Sequence, residues 1–183
     1  MRNRTGRLWC VAVAAGALTA AAVPSAYAAS AEEAPAPLAG AWTAKLAPGS
    51  TAGMGGFSCD SSTASGVDNT ILSATWQCQG PLGSTGSAAL TRAATFSPST
   101  SSGGIVSGSV DGVVIKVQMD GALGLCTITA AGNAPHAAFN QATSEFSMTP
   151  GPGLAVTQAT NCAGLANVGD QFPYSGTHRV TFT

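Results

Sequence analysis

From Gly40 onward, apolar and polar residues alternate with a period of two, the spacing of strands rather than the 3.6 of helices. In Trp42-Thr43-Ala44-Lys45-Leu46, the residues Trp42, Ala44 and Leu46 share one face. Over 71–78, Leu72, Ala74, Trp76 and Cys78 share a face, while Ser73, Thr75 and Gln77 take the other. A strand is predicted over 88–96, with Arg92 on the face of Leu90, Ala94 and Phe96. Over 113–119 the alternation is cleanest: Val113, Ile115, Val117 and Met119 point one way, Val114, Lys116 and Gln118 the other. Such strands pack one side on a core and wet the other.

Turn chemistry agrees with this pattern. Asp111-Gly112 separates 105–110 from 113–119, and Asp120-Gly121 precedes 123–129. Asp-Gly suits the positive φ angles of two-residue hairpin turns, so 105–129 reads as a three-stranded meander. Later strands are predicted at 145–148, 154–160 and 177–182. The 23 glycines and 10 prolines leave no clean helical stretch beyond an N-terminal leader, apart from a brief helical turn expected near 136–142. The fold class is therefore all-β: an antiparallel sandwich or barrel of roughly nine or ten short strands, with an N-terminal signal helix.

That leader has the parts of an export signal. Arg2, Arg4 and Arg7 form a positive n-region, the stretch from Leu8 to Val23 is apolar and uncharged, and Ala26-Tyr27-Ala28 supplies small residues for cleavage. The apolar run is shorter than the about 20 residues of a membrane span. The expected organisation is a signal peptide at 1–28, a disordered Ala/Glu/Pro linker at 29–39, and one all-β domain at 40–183. Cleavage near Ala28 makes the product secreted, with no membrane span in the mature chain.

Charge narrows the partners. Outside the leader the cations are Lys45, Arg92, Lys116 and Arg179, against eight Asp and Glu. Four scattered cations cannot build a basic face for nucleic acid.

Four cysteines remain after the leader: Cys59, Cys78, Cys126 and Cys162. An even count in an exported chain reads as two disulfides, with three connectivities open. Close C-x-x-C pairs are absent, which argues against zinc. An internal echo, Ala74-Thr75-Trp76-Gln77-Cys78-Gln79-Gly80 against Ala159-Thr160-Asn161-Cys162-Ala163-Gly164, favours pairing Cys59 with Cys78 and Cys126 with Cys162.

Two segments carry a resemblance. They are Trp76-Gln77-Cys78-Gln79-Gly80-Pro81-Leu82-Gly83, and the later run of Cys162-Ala163-Gly164-Leu165, Asn167-Val168-Gly169-Asp170 and Ser175-Gly176-Thr177. In these the chain resembles a group of small secreted actinobacterial proteins. The resemblance implies an extracellular, disulfide-containing β-domain and no known activity.

Catalytic inventory is thin. Beyond the leader there are two histidines: His136, after Pro135 in an expected loop, and His178, read as a solvated or capping residue of the last strand. No G-x-S-x-G elbow occurs. Asp111 and Asp120 are explained by turns, and Asp68 and Asp170 sit in turn-like contexts, leaving only Asp60 and Glu145 for a carboxylate pair. A calcium site assembled from loops would draw on Asp68, Asn69 or Asp170, but no D-x-D-x-D-G loop is present. No cofactor is implied. For binding, Asp170-Gln171-Phe172-Pro173-Tyr174 stands out, because Pro173 interrupts any strand and presents Phe172 or Tyr174 on a loop. Phe172, Tyr174 and Asp170 are the binding candidates; the competing reading is that both rings plug one end of the fold. Trp42 and Trp76 read as core.

The expected function is a non-catalytic extracellular module associated with the cell surface or wall, its partner a polysaccharide or another extracellular protein. The alternative is an inhibitor of extracellular hydrolases, using the loop 79–86 after Cys78. A secreted hydrolase is least favoured.

Overall fold

The computed structural model describes residues 37–122 and 124–183. The expected signal peptide and signal helix, and residues 29–36 of the expected linker, lie outside them.

Among the described residues every regular element is a strand but for one 3₁₀ turn, Pro81–Gly83. The strands are β1 (Ala41–Leu46), β2 (Ala52–Met54), β3 (Phe57–Val67), β4 (Thr70–Gln79), β5 (Thr85–Leu90), β6 (Ala94–Ser102), β7 (Ile105–Asp120), β8 (Cys126–Asn140), β9 (Glu145–Met148), β10 (Leu154–Thr160) and β11 (Tyr174–Phe182). Eight of them close an antiparallel barrel in the order β1–β3–β4–β6–β7–β8–β9–β11, with β11 returning to β1. The three others lie outside this ring. β2 follows β1 between β3 and β11, β5 precedes β6 between β4 and β7, and β10 follows β9 along β8. Apart from the closing β11–β1 pair, the eight ring strands follow one another round the barrel in chain order, the up-and-down arrangement that leaves a small barrel without a free edge.

Both disulfides tie one end of the barrel, hereafter the disulfide end. Cys59 bonds Cys78, its directly opposite residue on β4, and Cys126 at the start of β8 bonds Cys162 just beyond β10. Each bridge joins the start of one strand to the end of the strand position that follows it, so the halves β1–β6 and β7–β11 repeat the same bracing. This is the symmetry of the internal echo. Two disulfides fit an oxidising, extracellular type of environment. No described helix is long and apolar enough to cross a membrane.

Several local expectations are corrected. Asp111-Gly112 is not a hairpin turn: β7 runs through it as one strand, and Gly112, at φ 71°, forms a bulge against β8. Polar partners hold that bulge in place. Asp111 accepts hydrogen bonds from the hydroxyls of Ser97 and Ser109, and Gly112 N–H donates to Asn133 Oδ1. The predicted meander is therefore a single long hairpin, β7–β8. On β4 an extra residue between the pairs Ser65–Ser73 and Gly66–Ile71 turns Ile71 inward and leaves Leu72 exposed. Arg92 escapes the core because the predicted 88–96 strand breaks between β5 and β6; its Nε donates to Gly112 O. No helical turn forms at 136–142, since β8 continues to Asn140.

Inward-facing side chains fill the interior, as eight strands allow. Trp42, Ala74, Trp76, Val113, Ile115, Val117 and Ile128 are buried. Gly66 is required where β3 passes Trp42, because a Cβ there would lie 2.2 Å from the indole. The folded part also starts earlier than Gly40: Leu38, assigned to the linker, is fully buried. It reaches the barrel interior beside the β3–β4 turn, where Gly40 N–H donates to Asp68 Oδ1 and Asp68 N–H to Gly40 O.

Candidate functional site

The disulfide end carries the surface that sets this barrel apart. Three loops converge there: 80–84 between β4 and β5, 121–125 between β7 and β8, and 161–173 between β10 and β11. Leu82 is 74% exposed, Val168 68%, Leu125 53% and Leu165 52%. Isolated exposed leucines are ordinary; a group of them at one end of a small barrel is not. Leu82 and Leu165 border one shallow groove, whose floor includes Phe57, Met119 and Cys126. The stretches 80–84, 121–125 and 161–169 contain no Lys, Arg, His, Asp or Glu. The tips of the crown are therefore uncharged, and Asp170 is the one charged residue in its three loops.

The sequence shapes this end directly. Pro81 opens the tight turn after Cys78, Ser84 caps it by donating from N–H and Oγ to Pro81 O, and Leu82 sits at φ 57° at its tip. The turn is compact rather than extended, unlike a segment that adds as a strand to a partner's cleft. On the third loop, Asp170 Oδ2 accepts from Asn167 N–H at 2.7 Å and from its side-chain amide at 3.3 Å. Cys162 anchors the start of that loop. Both disulfides therefore stiffen loops that carry exposed apolar tips, which reduces the ordering cost of binding.

Phe172 and Tyr174 are not presented to solvent. Their relative exposures are 2% and 4%. Residues 169–172 run beside β10, with Phe172 N–H donating to Leu154 O and Val156 N–H to Asp170 O. This pins the segment, and Phe172 turns under Gly55, where a Cβ would lie 2.2 Å from its ring. Tyr174 opens β11 with an inward side chain. Its hydroxyl accepts a hydrogen bond from Trp76 Nε1 at 3.1 Å, and the two rings meet edge to face. Of the three binding candidates only Asp170 is exposed, and its carboxylate is engaged within its own loop.

His178 departs from expectation as well. It is neither solvated nor a cap but 5% exposed, on the inward face of β11, with Nε2 2.9 Å from Ser62 Oγ of β3. Burial lowers its pKa from 6.5 to about 4, so it is neutral at physiological pH, and burial raises that of Tyr174 well above its ordinary value. No described acid pairs with His178, so the Ser62–His178 pair lacks the third member that orients a catalytic base. His136 is exposed on the outer wall beside Ser99, Ser107 and Ser147. Asp68 and Asp170 stand at opposite ends of the barrel, each engaged with nearby loop backbone, and no group of metal-ligating side chains occurs among the described residues. Glu145 meets Arg179 at 3.4 Å, away from Asp60 on β3.

Sequence reading singled out the loop 79–86, which carries Leu82, but missed its convergence with 121–125 and 161–169, and it missed Ser62. Leu82 and Leu165 both lie in the quoted segments just after a cysteine, which was a usable signal. Ser62 had none, because a bulge between Cys59 and Ser61 shifts the alternation of β3. Comparisons with known protein families, with curated proteins and with solved structures give no match to the chain.

Proposed function

We propose that the protein is exported, freed of its leader near Ala28, and acts outside the cell as a non-catalytic binding module whose disulfide-braced crown docks on a neutral, apolar component of the cell surface. One observation carries this reading: Leu82 and Leu165 stand exposed on one groove, between loops that two disulfides hold at one barrel end, and Leu125 and Val168 are exposed on the same set of loops. Loops that bear exposed apolar tips on a rigid scaffold are a common way to present a binding surface. The absence of Lys and Arg from these loops, whose one charge is Asp170, favours an uncharged partner over anionic lipid or acidic polymer.

Sedimentation with cell-envelope material tests it. Purified oxidised protein should pellet with intact envelope and with neutral phosphatidylcholine vesicles, and remain in solution with lipid-extracted wall. The double variant Leu82→Ser, Leu165→Ser should stay in solution in all three while keeping its melting temperature. Equal pelleting with lipid-extracted wall would redirect the reading to polysaccharide, and equal pelleting of the double variant would remove the crown from it.

A further inference from the structure

The outer wall carries a second feature, away from the crown. β7 runs there between β6 and β8, and each of these neighbours has one extra residue beside it. On β6 the extra residue is Ser99, between the pairs Pro98–Gly108 and Thr100–Ser107. On β8, Pro135 and His136 stand opposite the single residue Ser109, between the pairs Ala137–Gly108 and Ala134–Val110. Bulges re-aim side chains and are common beside functional sites. Both of these open onto one groove of about 330 Å³, lined by Ser99, Ser107, Pro135, His136, Ser147 and Thr149. Thr149 N–H donates to His136 O at 3.0 Å, and the imidazole packs on Gly151, where a Cβ would lie 2.7 Å from its Cδ2. Ser99 Oγ donates to Ser107 O at 3.2 Å and Ser147 Oγ to Ala138 O at 3.5 Å, which leaves the lone pairs of both hydroxyls able to accept. Among the described residues the side chains of Ser107, His136 and Thr149 have no hydrogen-bond partner in the protein.

We infer that this groove binds one residue of a neutral sugar, free or within a glycan. Its volume falls at the lower end of small-ligand clefts, roughly 300–1,000 Å³, which suits one ring rather than a long segment. No Lys, Arg, Asp or Glu lines it, so a charged ligand would give up hydration without a fixed opposite charge to meet it. The hydroxyls of Ser99 and Ser147 accept, and those of Ser107 and Thr149 can donate and accept. A ring bearing several hydroxyls, each both donor and acceptor, matches that set. A purely apolar ligand would strip water from the same groups and replace none of its hydrogen bonds. Pro135 and Ala138 supply an apolar patch among the hydroxyls for the C–H face of the ring. The groove is open to solvent along the wall, so a residue still joined to its chain can enter.

NMR titration of isotope-labelled oxidised protein tests this, with glucose, galactose, mannose, N-acetylglucosamine and inorganic phosphate added separately. At least one of the sugars should give saturable shifts in the millimolar range, centred on Ser99 and on residues 107–109, 135–138 and 147–149, and phosphate should give none. At that affinity the groove alone does not hold the protein on lipid-extracted wall. His136→Ala and Thr149→Val should each weaken the sugar roughly tenfold, the worth of about one net hydrogen bond. Both side chains are exposed, so the melting temperature should hold. His136→Gln, which keeps a donor and an acceptor, should recover most of the affinity. No saturable shift from any of the four sugars, shifts centred on the crown, saturation of the groove by phosphate, or undiminished sugar binding by both weakened variants would each overturn the inference. The Leu82→Ser, Leu165→Ser protein should bind the sugar unchanged, and His136→Ala should still pellet with neutral vesicles, which separates failure of this site from failure of the crown.

Discussion

Acidification should weaken this protein through His178, and the size of the effect follows from its burial. The ring is neutral in the barrel with a pKa of about 4, against 6.5 in the open chain. Between those values the unfolded chain binds the proton and the folded one does not, so stability falls as pH falls. Each unit of separation is about 1.4 kcal/mol, so the full loss is about 3 kcal/mol and is complete below pH 4. From pH 7 to pH 5 the loss is roughly 2 kcal/mol. With a urea slope of about 1–3 kcal/mol/M, the midpoint should drop by about 1 M over that interval. His178→Gln keeps a side chain able to bond Ser62 but removes the titration. Its urea midpoint should change less between pH 7 and pH 5 than that of the unaltered protein. Parallel curves for the two proteins would refute the assignment of His178 as a neutral, buried ring.

The disulfides and the buried Phe172 give two further expectations. Replacing Cys59 and Cys78 with Ala, or Cys126 and Cys162, opens loops of 19 and 36 residues and should cost roughly 3 and 4 kcal/mol. Thermal melts should show both losses, and undiminished melting would contradict them. Phe172→Ala should cost about 3–5 kcal/mol and lower the melting temperature sharply, the behaviour of a core ring rather than a ligand contact. A melting temperature unchanged by that substitution would contradict its burial.

The strand class was legible because period-two alternation survives in β1, β7 and β11. Bulges are where legibility failed. They need one extra residue and leave no compositional mark of their own, so Asp111-Gly112 read as a reversal although the same dipeptide serves a bulge as well. The candidate site was harder to see. Pro173 does interrupt the strand pattern, but the backbone bonds of residues 169–172 to β10 turn Phe172 inward, and those partners are remote in sequence. His178 was misread because Arg179 beside it suggested a wet strand; alternation through Tyr174, Gly176, His178 and Val180 carried the better signal. Leu82 and Leu165 were visible as residues, yet only closure of the barrel brings their loops to one end.

Where the protein meets its partner can be mapped directly by following backbone amide signals of isotope-labelled oxidised protein as neutral phosphatidylcholine vesicles are added. Docking through the crown predicts signal loss concentrated at 80–84, 121–125 and 161–169, with the outer wall around Lys116, Gln118 and His136 spared. Uniform loss, loss centred on that wall, or no loss at saturating vesicle would contradict it.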